Sequence, residues 1–168
     1  MAKKIILLAA AALLFAGCVS TQKESGGEKT IGLSNPFVSC KNLEEAQKLA
    51  GFSFNLLDVF DNCAIQVYRA IPKQMIEAIY DSESGDEIRI RKAAGKNDPS
   101  GDFNVYNEKS SQKVGGYEVT FFASENKCGK VVWQMGNHTC SITSRDRMSL
   151  DKALKTASKV IEMNARKL

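Results

Sequence analysis

Histidine, proline and tryptophan are scarce in this chain of 168 residues, which has one histidine, three prolines and one tryptophan. Any active site that needs an imidazole must therefore use His138. No Cys-x-x-Cys pair occurs, so the common zinc-binding spacings are excluded. We expect neither a metal ion nor a cofactor.

Long apolar runs are also missing, because the longest one, residues 5–15, is shorter than the roughly 20 residues that span a bilayer. Lys3 and Lys4 precede this run, and two small residues and Cys18 follow it. This order is typical of a secretory leader. Residues 14–18 resemble the lipobox of bacterial lipoproteins, except that Phe15 stands where leucine is commonest.

The leader predicts that residues 1–17 are a signal peptide and that Cys18 is the lipidated, palmitate-bearing first residue of the mature protein. The protein would then be extracytoplasmic and held in the cell envelope by a membrane anchor. An ordinary secretory leader cut nearby and an uncleaved anchor are the alternatives. Residues 18–34 are polar and rich in glycine, which predicts a flexible tether before a single domain at residues 35–168.

The mature chain has no strong excess of positive or negative residues. Once Lys3 and Lys4 leave with the leader, 21 basic residues face 19 acidic ones, a formal charge of +2. No basic cluster is interleaved with aromatic residues. This balance gives no indication of nucleic-acid binding.

Four cysteines remain besides the lipidation site, an even number in an oxidising compartment, which predicts two disulfides. We expect Cys40 to pair with Cys63, because a helix and a returning strand bring the chain back to its starting end. Cys128 and Cys140 flank a hairpin and form the second expected pair.

Two amphipathic helices are predicted, one near each end of the domain. Asn42 and Glu45 form a capping-box pattern for the first helix, and Gly51 ends it. Ser149 caps the second helix, whose apolar stripe continues to Ile161.

Between the helices, apolar residues recur with period two, which predicts an antiparallel sheet with one polar face. The glycine pair 115–116 and the pair 136–137 mark tight hairpins. The expected fold is α+β: a single antiparallel β-sheet with an N-terminal and a C-terminal helix packed on one face. The predicted strands include residues 52–56, 65–69, 75–80, 87–92, 109–114, 117–123, 130–135 and 138–143.

Several stretches carry a family resemblance, namely residues 35–37, 43–52, 75–80 and 87–93. They resemble the bacterial domain-of-unknown-function family 4367. Such domains occur in lipoproteins and at the outer ends of membrane proteins that resemble anti-sigma factors. The resemblance implies a non-catalytic extracytoplasmic module and brings no catalytic residues.

Two features of the loop sequences bear on possible ligand binding. Residues 98–109 resemble a calcium loop in their first positions, but Phe103 and Lys109 stand where glycine and glutamate are required. Residues 93–107 form a long connection without periodicity, and such connections are often functional. Phe103 and Tyr106 would either anchor this loop to the core or present an aromatic contact.

Arg89 and Arg91 lie two residues apart on one predicted strand, so their side chains are on the same face. Glu77, Glu118 and Thr120 of neighbouring strands are predicted to share that face. This face would either bind an acidic protein or envelope partner or simply be solvated. The expected function is a non-catalytic binding or sensing module. A carrier of an apolar ligand or lipid between curved sheet and helices is the first alternative, and a hydrolase using His138 is the second.

Overall fold

The computed structural model describes residues 35–60, 62–83 and 85–165, and Asn35–Leu168 forms one compact unit. The predicted signal peptide, Cys18 and the tether lie outside the described residues. The described elements, in chain order, are β1 Val38–Cys40, α1 Leu43–Ala50, β2 Val59–Phe60, β3 Cys63–Ile71, β4 Met75–Ser82, β5 Glu87–Ala94, β6 Glu108–Val114, β7 Tyr117–Ser124, β8 Lys127–Met135, β9 His138–Ser149 and α2 Leu150–Ala165.

One antiparallel sheet contains all nine of these strands. Its order is β1-β3-β4-β5-β9-β8-β7-β6, and β2 pairs with β3 beside this path. Gly115 and Gly116 have φ angles of 55° and 88°, which is the left-handed backbone that a two-residue hairpin needs. The α+β fold with a single sheet, an N-terminal helix and a C-terminal helix is thus confirmed.

Both helices begin at the caps that the sequence predicts. The Asn42 side chain accepts a hydrogen bond of 2.9 Å from the Glu45 amide, and the Glu45 carboxylate accepts one of 2.8 Å from the Lys41 amide. Gly51 ends α1 with a φ of 80°. At α2, the Ser149 hydroxyl accepts a hydrogen bond from the Lys152 amide.

The helices pack on one sheet face, called the helix face below. Ala46 and Ala50 of α1 and Ala153 and Ala157 of α2 are buried in the same apolar cluster. Small side chains at these contacts let the helices approach the sheet closely, where isoleucines and Trp133 form the opposing layer.

Residues 52–56 do not form the predicted strand. They run as irregular chain beside both helices, because the Phe54 amide bonds the Gln47 side chain of α1 and Asn55 bonds Asn164 of α2. Phe54 and Leu56 still point into the core. The alternating apolar pattern therefore reflects burial between the helices and not pairing in the sheet.

In the structure Cys40, Cys63, Cys128 and Cys140 are not joined to one another, and neither predicted disulfide pair lies at disulfide distance. Cys40 lies opposite Tyr68, five residues along β3 from Cys63, a separation of roughly 16 Å. Cys140 lies opposite Trp133, again five residues along a strand from Cys128. A disulfide needs Cα atoms within about 7 Å.

Burial protects these thiols. It raises the pKa of Cys128 to about 11 and that of Cys140 to about 12, so the reactive thiolate is scarce at neutral pH. These cysteines act as small apolar side chains in the core. Among the described residues, no helix has both the length and the apolar character required to cross a bilayer.

We predict that all four cysteines of the domain are reduced. In a Cys18→Ser variant prepared without reductant and unfolded in denaturant, four thiols should react with a colorimetric thiol reagent. In the folded variant only the half-buried Cys40 should react quickly. Two native bridges would instead leave no reactive thiol after unfolding.

Candidate functional site on the open sheet face

The sheet face opposite the helices, called the open face below, carries a buried carboxylate. Glu77 of β4 lies directly between Arg69 of β3 and Arg91 of β5 in the strand register. Its side chain is 0% exposed and accepts hydrogen bonds of 2.6 Å from the Nε atoms of both arginines. These three residues are called the Glu77 cluster.

Two segments from outside the central strands cover the Glu77 cluster. The Phe37 ring, just before β1, lies 4.8 Å from the Arg69 guanidinium and 5.6 Å from that of Arg91. From the other side, the carbonyls of Pro99 and Ser100 accept hydrogen bonds from Nη1 of Arg91. The guanidinium of Arg91 therefore holds the loop 95–107 against the sheet.

Gly101 is required where this loop meets Arg91. Its φ is 62°, and a Cβ atom at this position would lie 2.6 Å from Nη1 of Arg91. Any other residue would be strained at this φ and would displace either the loop or the guanidinium.

A second ion pair holds the same loop. Nζ of Lys130 on β8 lies 3.0 Å from the Asp98 carboxylate and donates a hydrogen bond of 3.2 Å to the Asp102 carbonyl. Burial opposes ionisation of Asp98, but the hydrogen bonds from Ser100 and Lys130 outweigh it and lower the pKa of this carboxyl. Asp98 is thus charged at neutral pH.

Tyr106 is the third attachment. Its ring lies 6.1 Å from that of Phe122, and its hydroxyl donates a hydrogen bond to the Asp102 carboxylate. Burial and the nearby Asp102 charge raise the pKa of Tyr106 to about 12. The ring rests on Gly129, where a side chain would collide with it.

Between these attachments, the loop places two apolar side chains in water. Phe103 is 96% exposed and Val105 is 86% exposed. The Asp102 carboxylate accepts hydrogen bonds from the amide and the side chain of Asn104, at 2.9 and 2.7 Å, which orders the backbone between them. Phe103, Asn104 and Val105 are called the loop tip.

Each of the two aromatic residues of the loop follows a different one of the two alternatives, anchoring the loop or presenting an aromatic contact. Tyr106 anchors the loop, whereas Phe103 is presented to solvent. Sequence reasoning had no signal for this difference, since both are aromatic residues in a polar stretch. The decisive feature is Gly129, whose missing side chain accommodates Tyr106.

The two arginines proposed for partner binding have different surroundings. Arg91 is only 9% exposed, and its donors are bonded to Glu77, Pro99 and Ser100. Arg89 is half-buried and pairs with Glu87, 2.6 Å away. Arg91 is therefore less accessible to a partner than Arg89. The proposed role of both arginines in partner binding stays a prediction.

The calcium-like loop uses its carboxylates internally. Asp98 pairs with Lys130, and Asp102 bonds Asn104 and Tyr106. Across the described ranges, no group of three or more His, Cys, Asp or Glu side chains is placed to hold a metal ion.

His138 begins β9 on the helix face, beside the start of the loop, where Asn137 and Thr139 are hydrogen-bonded to Gly95. Its ring lies 4.5 Å from that of Phe52, whose other neighbour is the Lys92 ammonium at 5.6 Å. Lys92 donates a hydrogen bond of 2.7 Å to the Ser53 carbonyl. An aromatic ring and an ammonium do not orient an imidazole as a general base, as a carboxylate would.

Protein side chains fill the centre of the helix face, and clefts lie at its margins. Phe54, Leu56 and Phe60 fill the space near the two helices. The cleft at Leu57 and α2 has a volume of about 210 Å³, and the groove at Leu150 and Leu154 of α2 has a volume of about 320 Å³. Ligand pockets usually have about 300–1,000 Å³, so the carrier alternative stays a prediction.

No family model, no curated protein and no solved structure matches the chain. The resemblance to domain-of-unknown-function family 4367 stays a prediction.

We predict that Arg91 and Arg89 differ in their effect on stability. Arg91→Ser would leave the Glu77 carboxylate buried with one partner, and the free energy of unfolding should fall by about 3–5 kcal/mol. Arg89→Ser, two residues away on the same strand, removes a half-exposed pair and should cost about 1 kcal/mol or less. Denaturant titration followed by the fluorescence of the buried Trp133 measures both, and equal losses would contradict this account.

We also predict a pH dependence from His138. Burial and the nearby Lys92 ammonium lower its pKa in the folded protein. The unfolded chain then binds a proton at higher pH than the folded one, so stability should fall as pH drops through about 6.5. As His138 is the only histidine, His138→Gln should flatten the stability curve between pH 7.5 and 5. An unchanged slope in the variant would show that another group is responsible.

Proposed function

We propose that this protein is a membrane-anchored extracytoplasmic lipoprotein that binds a protein partner of the cell envelope without catalysing a reaction. The observation that carries the proposal is the loop tip, where Phe103 and Val105 stand almost fully exposed on a loop that three attachments hold. The anchor comes from the leader and from Cys18.

The exposure of Phe103 and Val105 favours a binding role on energetic grounds. Burying a phenylalanine or valine side chain stabilises a protein by about 1.5–3 kcal/mol, which the loop tip forgoes in the free domain. Contact with a partner would recover this free energy. Aromatic residues are enriched in the interface cores of protein complexes for the same reason.

The attachments support the same function, because they fix the loop before any partner arrives. Arg91 and Lys130 of the sheet bond residues 98–102 of the loop, and the ring of Tyr106, near the loop's end, packs on Gly129 of β8. A preformed loop loses little conformational entropy on binding, so more of the contact energy appears as affinity. A loop that only connects β5 to β6 needs no such attachments.

The test is photo-crosslinking in intact cells with a photoreactive residue in place of Phe103. We expect a discrete crosslinked product in the membrane fraction, and its loss when Val105→Ser is added. The matched control carries the same residue at Val59, an exposed apolar position in β2. Equal product from both positions, or none from Phe103, would overturn the binding role.

The anchor is tested in the same cells. In wild type, the mature protein should start at Cys18 with lipid by intact mass. Cys18→Ser should shift the protein out of the lipidated form and remove the Phe103 crosslink if anchoring brings the partner within reach. A mature N-terminus elsewhere, without lipid, would overturn the lipoprotein assignment alone.

A further inference from the structure

Strand β6 ends the sheet, and among the described strands it pairs with β7 only. In an antiparallel strand, alternate residues direct their backbone N–H and C=O groups away from the paired neighbour. The seven residues of β6 therefore offer a row of backbone donors and acceptors along the outer edge. Six of these residues are exposed.

A groove lies beside this edge on the helix face. Its volume is about 320 Å³, and it is bounded by Ser110 and Gln112 of β6, Phe121 of β7, and Leu150 and Leu154 of α2. Leu150 is 37% exposed, and Leu154 is half-buried. Small and polar side chains on β6 leave the apolar wall of α2 open to a neighbour.

Helix α2 follows β6 along its length. Its first turn borders the groove at Ser110, and Ile161 in its last turns meets Gly115 just beyond β6. Eleven helical residues and five strand residues both span about 16 Å, so the two elements run side by side. An extended segment placed against β6 would then have α2 along one face.

The other side of β6 carries two lysines, the second of which, Lys113, lies opposite Glu118 of β7. Lys109 and Lys113 lie on the open face, at the two ends of the strand. A second copy of β6 paired antiparallel about Ser111 would set Lys109 opposite Lys113 twice, and like charges directly opposite are destabilising. Lysines on an edge strand oppose self-association in this way.

We propose that the outer edge of β6 binds an extended segment of a partner protein in which acidic and apolar residues alternate. The acidic side chains would face Lys109 and Lys113, and the apolar ones would enter the groove at Leu150 and Leu154. Backbone hydrogen bonds to β6 supply the affinity, and the two rows of side chains supply the specificity. The inference names the partner chemistry for the proposed binding function, but it does not use the loop tip.

The probe is a fluorescent synthetic heptapeptide in which glutamate alternates with valine. The full-length protein is titrated into the peptide, and binding is followed by the peptide fluorescence. We expect it to bind about tenfold more tightly than the matched peptide in which lysine alternates with valine, because two cross-strand charge pairs change sign. In Lys109→Glu/Lys113→Glu protein the preference should reverse. Lys48→Glu/Lys73→Glu protein, changed by the same charge near α1, should keep the original preference.

Strand addition is tested separately with N-methylated peptides. One version carries methyl groups on the glutamate amides and another carries them on the valine amides. Only the residues of one class direct their amides toward β6, so one version should lose binding and the other should retain it. Retention or loss in both would exclude pairing with the strand edge.

Three outcomes would overturn the inference. They are no binding of either heptapeptide, equal binding of both, and a dimer of the unliganded chain that Lys109→Glu/Lys113→Glu alters. Loss of the Phe103 crosslink product with intact peptide binding would reject the loop-tip proposal and leave this one standing.

Discussion

The carboxylate of Glu77 sits without exposure between two guanidinium groups, and the open face depends on this arrangement. Removing a carboxylate from water costs several kcal/mol, which is offset only when charges and hydrogen bonds surround it closely. Here the surroundings come from distant parts of the chain: Arg69 and Arg91 from the flanking strands, Phe37 from the start of the domain, and the carbonyl of Pro99 from the long loop. The cluster therefore couples the N-terminal segment, three strands and the loop.

This coupling gives the polar sheet face a structural role in place of simple solvation. Antiparallel sheets commonly leave one face to solvent, and charged residues there are expected to point into water. In this domain the charged side chains on one half of the open face pair with one another instead, and the loop 95–107 is bonded to one of them, Arg91. Lys130 repeats the principle on β8, where its ammonium lies 4.6 Å from the Phe122 ring and pairs with Asp98. The polar residues thus serve as attachments for the loop.

Local signals in the sequence predicted much of the fold, whereas the site depended on contacts between distant residues. Asn42, Ser149 and the Gly115-Gly116 turn act within a few residues, so the helix starts and the hairpin could be recognised. The role of Arg91 requires knowing that Glu77 is its neighbour in the strand register, and the separation of the cysteines requires the same knowledge. Residues 52–56 show a further limit, because period-two burial also occurs in irregular chain between helices.

The loop tip and the β6 edge belong to one region of the molecule, since Val105 precedes Glu108 by three residues, about 10 Å of extended chain. A segment lying along β6 would pass close to the tip. The two features contribute differently: the tip offers apolar area on a prearranged backbone, whereas the edge offers hydrogen bonds whose spacing fixes register. Because Lys130 and Tyr106 hold the chain just before β6, the attachments that present Phe103 also set the start of the strand. The same attachments, Lys130 and Tyr106, therefore fix both the conformation of the loop and the position of the β6 edge.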